Sequence, residues 1–389
     1  MKIQWPFAVC SAAPMFAAIW FGCGSDAARA PLGSDAGDSD SAVACGNAGQ
    51  PCCPSGTCPS NSCADGCTST NACLGGVCQS QTGDAALPSC SADHWCFSQV
   101  VDGNGYAVST FRGVWGSGPK DVWAVGEGTN WHQNSGVMEH FNGSTWEDPG
   151  GSAFEVEALS GVWGAASNDV WAVSDIASNR AGVVHWSGTA LTTQSQTPGW
   201  FRAVWGSGSN DVWAVGDDGI KDVAWHGDGS GWTRSNLGSL CHLAAVWGGG
   251  ANDVWAGGGC FIRKDANGWT TVALPAPGLA VHGIWGSAAN DVWAVGESIS
   301  DAGKTGAILH FDGSAWSVQT SVADGLNAVW GSAANDAWAV GSGGTVLHWN
   351  GTTWSPSASG TTNTLYGVWG SSAADVWVVG DLGVLHRSP

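Results

Sequence analysis

The chain has few basic residues and few charged residues of any kind. Lys and Arg number 12 against 32 Asp and Glu, the formal net charge is −20, and charged residues make up 11% of the 389. Nucleic acids and anionic membrane surfaces are bound through basic faces, so this balance disfavours both as partners. It leaves cations, sugars and proteins as ligands, and a membrane is expected only through an N-terminal lipid or anchor.

Residues 1–23 contain one Lys followed by an uncharged apolar run, which predicts an export signal. The end of this segment, Phe21-Gly22-Cys23, resembles a bacterial lipobox, and this resemblance implies lipidation at Cys23. A plain secretory signal and a retained anchor are the alternatives. Residues 24–44 are small and acidic without aromatics, which predicts a disordered linker. We therefore expect an exported protein, either a lipoprotein of the outer membrane or cell surface, or a secreted one.

Cysteines concentrate just after this linker. Residues 45–80 hold eight of the 14 in the chain: Cys45, Cys52, Cys53, Cys58, Cys63, Cys67, Cys73 and Cys78. Such density with few apolar residues predicts a small module held by disulfides, whose pairing stays open, and a metal–thiolate cluster is the alternative. The opening CGxxGQPCC is similar to Cys-rich modules of secreted myxobacterial proteins, which implies a rigid spacer or a small binding module.

The rest of the chain is a repeat. The stretch AVWGSAANDAWAVG, residues 328–341, has seven copies, whose first tryptophans are Trp115, Trp163, Trp205, Trp247, Trp285, Trp330 and Trp369. A period of about 40 residues with strand-like units is typical of a β-propeller. In the unit at 326–359 we predict four strands, with a turn at 331–336 between the first two and an Asn350-Gly351 hairpin before the fourth.

The last unit ends after its third strand, and residues 93–98 look like the missing fourth, with Trp95 in the tryptophan slot. We therefore predict an all-β fold: a seven-bladed propeller of four-stranded antiparallel blades over residues 91–389, closed by this N-terminal strand and preceded by the disulfide-rich module.

The repeat VWGSxxNDVWAVG with its HxDGSxW hairpin resembles the Trp-rich repeat proteins of myxobacteria, and more distantly the BNR/Asp-box and Ycf48-like propellers. The resemblance implies the fold but no single function, because these families share one architecture.

Residues that recur in every unit are interpreted as structural. An Asp precedes each second strand, where we expect it to accept backbone N–H bonds. These residues are Asp121, Asp169, Asp211, Asp253, Asp291, Asp336 and Asp375. A third-strand His recurs in six units, and His residues spread over six blades cannot converge on one metal. These are His140, His185, His226, His310, His348 and His386.

Function is expected where the units differ, on the face that carries the connections from fourth to first strands and the turns between second and third strands. We call this the variable face. The residue three positions before each first Trp differs from unit to unit. In the first unit, the long loop after the second strand carries Trp131 and His132. The candidate binding residues are Arg112, Trp131, His132, Arg202, His282, Asn327 and Tyr366.

Acidic residues follow the second strand in five units: Glu127, Asp175, Asp217, Glu297 and Asp381. Turn capping is one interpretation and a calcium or polyol site the other; no other cofactor is expected. Cys241 and Cys260 flank a hairpin symmetrically, which makes a cross-strand disulfide geometrically plausible, and Cys90 with Cys96 is a second candidate pair.

Catalytic signals are weak. A sialidase-like site needs an arginine cluster, a tyrosine nucleophile and acids, and a third arginine is missing from the slots of Arg112 and Arg202. The glycine-rich turns lack the strand–helix context of a phosphate loop. The sequence therefore predicts a non-catalytic propeller that binds a protein or polymer at the cell envelope. Lectin-like glycan binding is the alternative, and a glycosidase-like enzyme is third.

Overall fold

The computed structural model describes residues 71–74, 77–80, 90–98, 100, 108–128, 136–149, 158–174, 182–196, 200–237, 241–300, 303–381 and 383–388. All of them lie in the second of two compact units of the chain, Cys45–Pro389. Within them, seven four-stranded antiparallel sheets form the blades of a propeller, which confirms the predicted all-β, seven-bladed fold.

In blades 1 to 6 the strands follow in chain order from the innermost to the outermost. Blade 1 is Val108–Gly118, Asp121–Gly128, Gly136–Phe141 and Trp146–Glu147. Blade 2 is Leu159–Ala166, Asp169–Ser174, Gly182–Trp186 and Leu191–Gln196. Blade 3 is Trp200–Gly208, Asp211–Asp217, Asp222–Gly227 and Trp232–Asn236. Blade 4 is Ala245–Gly250, Asp253–Gly257, Phe261–Asp265 and Gly268–Thr271.

Blade 5 is Leu279–Ala288, Asp291–Ser300, Gly303–Phe311 and Trp316–Val322. Blade 6 is Leu326–Ala333, Asp336–Gly341, Val346–Trp349 and Trp354–Pro356, with a 3-10 turn at Ser342–Gly344. Blade 7 is Leu365–Ser372, Asp375–Gly380 and Gly383–Arg387, completed by Trp95–Ser98. None of the helical segments in the described part of the chain is long and apolar enough to span a bilayer.

The N-terminal strand closes the ring as predicted. Trp95–Ser98 pairs antiparallel with Gly383–Arg387, and Trp95 is 1% exposed. Its indole Nε1 donates to Ser357 Oγ at 3.0 Å, and its ring meets Trp338 of blade 6 edge-to-face. The last blade therefore takes its outer strand from the other end of the domain.

The predicted turn at 331–336 is wrong in its extent. The first strand of blade 6 continues to Ala333, and the turn is only Ala334 and Asn335. A β-bulge between Gly331 and Ala333 takes up the additional residue, so the glycine and serine belong to the strand.

A separate strand pair, Asn71–Leu74 with Val77–Ser80, lies within the predicted Cys-rich module, and Cys73 stands opposite Cys78 in its register.

The core is divided among the blade junctions. Each of the hydrophobic clusters formed by the described residues joins two neighbouring blades, including blade 7 with blade 1. At each junction the first Trp of one blade lies over the glycine after the first Trp of the next blade. A Cβ placed on these glycines would lie 2.5–2.6 Å from the indole; they are Gly116, Gly164, Gly206, Gly248, Gly286, Gly331 and Gly370.

In five blades the hairpin turn between the third and fourth strands is capped by a side-chain oxygen. Asp312 Oδ1 accepts the backbone N–H groups of Ser314 and Ala315 at 2.8 and 2.9 Å. Gly313 follows with φ of +89°, a conformation that favours glycine. The Ser314 hydroxyl and these two N–H groups lower the pKa of Asp312 to about 2, from an ordinary value of 3.8.

We expect Asp312 to titrate near pH 2 when its carboxyl resonance is followed by NMR. Because the folded-state pKa is lowered, the carboxylate stabilises the fold above its unfolded pKa near 3.8, and this contribution is lost as the pH falls through about 2. Asn350 caps the equivalent turn with a neutral amide. Asp312→Asn should therefore keep the turn, and it should remove the part of the acid dependence of Tm between about pH 4 and pH 2 that Asp312 contributes. Titration of Asp312 near pH 3.8 would contradict the expectation.

Candidate functional site

A β-bulge lies near the start of the first strand in six blades of the described structure. The strand register shifts there, so one residue is inserted between two pairs of the ladder. The inserted residues are Arg112, Ser160, Arg202, His282, Asn327 and Tyr366, and Ala244 directly precedes the first strand of blade 4. Bulges of this kind redirect a side chain away from the regular alternation of the strand.

These seven residues line one central cavity of about 340 Å³, and we call them the mouth ring. Next along each strand comes a small residue, and the residue after that is aliphatic: Val114, Val162, Val204, Val246, Ile284, Val329 or Val368. The small residues are needed because the strands converge here. A Cβ on Gly113 would lie 3.2 Å from the Gly161 Cα of the next blade. The cavity therefore has a polar entrance and an apolar interior.

Both arginines of the mouth ring are held by acids of the same blade. Arg112 Nη2 lies 3.2 Å from Glu127 Oε1, and Arg202 Nη1 lies 3.0 Å from Asp217 Oδ2. Asp217 is fully buried and also contacts His242 Nδ1 at 3.1 Å. The ion pairs orient the guanidinium groups at the edge of the cavity.

Tyr366 is the residue that an enzyme of the sialidase type would use as its nucleophile. Burial raises its pKa, and the negative charge of Asp381 raises it further, although Arg112 lies 5.7 Å from the ring centroid and acts in the opposite direction. The phenol therefore stays protonated at neutral pH. It is suited to donate a hydrogen bond and poorly suited to attack.

Two other members of the mouth ring bridge neighbouring blades. Ser160 Oγ donates to the Phe201 carbonyl at 2.7 Å, and Asn327 Nδ2 donates to the Leu365 carbonyl at 2.8 Å. Each bond crosses from one first strand to the next. These side chains therefore stabilise the cavity wall as well as line it.

The described acidic residues among those proposed for a cation contact basic or hydroxyl groups instead of one another. Glu297 contacts Lys304 at 3.1 Å, and Asp381 Oδ1 accepts from Thr110 Oγ1 at 3.2 Å. Asp175, Trp131 and His132 lie outside the described residues. Within the described ranges, one group of three side chains places possible metal ligands together: Asp222, Cys241 and Cys260.

The recurrent Asp and His residues form a network on the opposite face. In six blades the His Nε2 lies 2.5–2.7 Å from Asp Oδ1, and in blade 4 Arg263 takes the place of His. Each of these His rings stacks on the second-strand Trp of its blade, with centroids 3.7–4.3 Å apart. This supports a structural role.

The expected partners of these aspartates were wrong. In five blades the other carboxylate oxygen accepts from a Ser hydroxyl in the first strand, not from backbone N–H groups: Ser117, Ser207, Ser287, Ser332 and Ser371. The bulge at the end of the first strand brings this Ser to the carboxylate. Burial opposes ionisation of Asp121, but hydrogen bonds from His140 and Ser117 outweigh it and lower its pKa.

The order of the groups also bears on catalysis. The carboxylate lies between Ser and His, whereas a Ser–His–Asp triad needs the imidazole next to the hydroxyl. The hydroxyl therefore donates to a carboxylate and is not activated by the imidazole.

The structure contains two of the candidate disulfides, Cys90–Cys96 and Cys241–Cys260. Cys23, Cys45, Cys52, Cys53, Cys58, Cys63 and Cys67 lie outside the described residues, and for Cys73 and Cys78 only the backbone pairing is described.

Two features of the variable face were not predicted from the sequence. The bulges were not foreseen, although a Gly or Ala follows every mouth-ring residue and signals a close approach of strands. Asp222 was also missed. It stands opposite Asp217, whereas blades 1 and 5 have Gly136 and Gly306 opposite their acids, and this departure from the repeat was visible in the sequence.

No family model and no curated protein matches this chain. Solved structures resemble it in fold. Ycf48 bound to D1 peptide aligns with a TM-score of 0.56 at 15% identity, covering 78% of this chain and 99% of that chain. Ycf48 from Cyanidioschyzon merolae aligns with a TM-score of 0.56 at 15% identity, covering 75% and 99%.

A catalytically inactive virginiamycin B lyase from Staphylococcus aureus, solved with quinupristin, aligns with a TM-score of 0.51 at 14% identity, covering 75% of this chain and 98% of that chain. At these identities the likeness shows the propeller fold alone. An enzyme therefore shares the architecture, and activity must be argued from the site.

Proposed function

We propose that the chain is a non-catalytic binding scaffold whose mouth ring receives a protein or polymer partner. The observation that carries this proposal is the convergence of the variable residues on one cavity of about 340 Å³. Arginine, tyrosine, histidine and asparagine side chains surround an apolar interior there, and such a combination suits a partner that inserts a side chain with a polar end.

A polypeptide partner is supported by two further points. Ycf48, which has a similar fold, has been solved with a peptide bound. The raised pKa of Tyr366 and the Ser–Asp–His order favour binding over chemistry. We place the partner at the cell envelope, since residues 1–23 resemble a lipoprotein signal that would deliver the propeller to the outer membrane or cell surface.

The test is capture of a partner by the full-length protein from cell-envelope extracts, with cross-links mapped by mass spectrometry and affinity measured on the purified partner. Arg112→Ala and Tyr366→Ala should each weaken binding roughly 30-fold, as expected for central contacts. Arg202 is a poorer probe, because its loss leaves the buried Asp217 without its arginine.

Arg234→Ala is the matched control, because Arg234 pairs with Asp218 on the outer strand of blade 3, away from the mouth ring. Variants are compared only when their melting curves match that of the wild type. A partner whose affinity is the same for all three variants would refute a mouth-ring site.

Lectin-like glycan binding is the second candidate, favoured by the planar polar side chains of Arg112, Asn327 and Tyr366 around the cavity. A glycan array probed with and without calcium separates the two. Selective binding that is lost in Trp131→Ala and Tyr366→Ala would replace the protein-partner proposal. We expect any such binding to be independent of calcium, because Glu127, Asp217 and Glu297 contact basic side chains.

A further inference from the structure

The junction between blades 3 and 4 on the variable face departs from the repeat. Asp222 pairs in register with Asp217, so two carboxylates face each other across neighbouring strands, 1% and 0% exposed. Like charges in this arrangement destabilise a sheet, and burial adds to the cost. Arg202 and His242 contact Asp217. On the other side, Asp222 faces Cys241 and Cys260.

Asp222, Cys241 and Cys260 lie close together. Asp222 Oδ2 accepts the backbone N–H of Cys241 at 2.7 Å, which orients the carboxylate. One carboxylate oxygen and the two Sγ atoms all lie within 4.8 Å of one another. Cys241 and Cys260 are partly exposed, and their Cα atoms are 5.3 Å apart. Partial exposure is what a reductant and a metal ion need to reach a cysteine.

Glycines bring the two cysteines together. A Cβ on Gly258 would lie 2.3 Å from the carbonyl oxygen of His242, so only glycine permits this approach. Gly259 N donates to the Cys241 carbonyl at 2.6 Å, which ties the turn that carries Cys260 to the segment that carries Cys241. These contacts hold the segments that carry Cys241 and Cys260 together in addition to the disulfide.

We propose that Asp222, Cys241 and Cys260 form a redox-gated site for a thiophilic divalent cation such as Zn²⁺. A dithiol or phosphine reductant supplies two electrons, the S–S bond breaks, and each sulfur takes up a proton. The two thiols lose these protons to solvent when the metal binds, and both thiolates and the carboxylate become ligands. Two thiolates with one carboxylate leave the fourth tetrahedral position to water.

The required movement is small. Zinc–thiolate bonds of about 2.3 Å place two sulfurs about 3.8 Å apart on a tetrahedral ion, a separation that rotation of the two side chains supplies. A divalent cation also offsets the charge of two thiolates and a buried carboxylate, which the reduced site would otherwise hold close together. Asp222, Cys241 and Cys260 do not line the mouth-ring cavity, so the metal site and the proposed partner binding are separate sites.

The test uses full-length protein reduced with tris(2-carboxyethyl)phosphine under metal-free conditions and titrated with Co²⁺, whose thiolate complexes absorb in the near ultraviolet. Because any other reduced cysteine would also take up Co²⁺, the signal is the difference between the wild type and a Cys241→Ser, Cys260→Ser double variant. We expect one equivalent of Co²⁺ in this difference, displaced by Zn²⁺. A Cys90→Ser, Cys96→Ser variant is the matched control and should retain it.

Asp222→Asn keeps every thiol and should lower the Co²⁺ affinity of this site at least about tenfold. A measurement on the wild type alone is independent of how variants fold: Zn²⁺ should protect Cys241 and Cys260 from alkylation by iodoacetamide, read by peptide mass spectrometry. Any one of four results would overturn the proposal. These are equal Co²⁺ uptake with and without the two cysteines, unchanged Co²⁺ affinity in Asp222→Asn, no protection of the cysteines by Zn²⁺, and a disulfide that stays oxidised in the folded protein.

Discussion

Replacing Trp95 with alanine is expected to lower the free energy of unfolding by about 3–5 kcal/mol, the usual cost of truncating a large buried aromatic side chain. Trp95 is 1% exposed and packs in a cluster that joins blades 6 and 7. It is also the anchor of the strand that closes the ring. Without it, the third strand of blade 7 becomes an unprotected sheet edge.

Equilibrium denaturation checks the stability, and limited proteolysis checks whether the N-terminal strand detaches. Trp95→Phe is the control. It keeps most of the apolar area and loses the bond to Ser357 Oγ, which predicts a loss of about 1 kcal/mol. A midpoint in Trp95→Ala equal to that of the wild type would show that closure does not depend on this side chain.

The second large effect is expected at the contact between a Trp and a Gly of the next blade. In Gly164→Ala the new Cβ would lie 2.5 Å from the Trp115 ring and 3.0 Å from the Asp169 carbonyl, so one blade must shift against its neighbour. Overpacking of this kind costs about 1–3 kcal/mol. The measurement is the denaturation midpoint at an unchanged dependence on denaturant.

Gly208→Ala is the matched control, because a Cβ there meets nothing within 4 Å. Ala166 already occupies the equivalent end of the first strand in blade 2. We expect a change within about 0.5 kcal/mol. In a Trp115→Ala background, Gly164→Ala should cost less than in the wild type; strictly additive effects would mean that the indole does not limit the space.

The seven glycines that follow the first tryptophans explain why the repeat predicted the fold. The pair Trp-Gly recurs in each unit because its two members contact different neighbours, the Trp in the following blade and the Gly in the preceding one. Such a pattern is visible in the amino-acid sequence, and it predicted the number of blades. The fourth-strand position of Trp95 was visible for the same reason, since it matched a slot that the last unit left empty.

Other features depended on contacts between residues that are distant in sequence. The mouth-ring positions were recognised in the sequence because they vary from unit to unit. Their convergence on one cavity follows from the bulges, which insert one residue into the first strand where the first strands of neighbouring blades approach each other. The carboxylate partners were misassigned because a second bulge brings a first-strand Ser to the Asp that begins the second strand.

The sequence by itself determined the blade count, the strand order, the closing strand and the face on which the units differ, because each is encoded in the regular spacing of the repeat. Only the tertiary structure decided which residues share a cavity and that Asp222 meets Cys241 and Cys260. These juxtapositions arise where different blades meet, and packing between blades is not written in the repeat of any one of them.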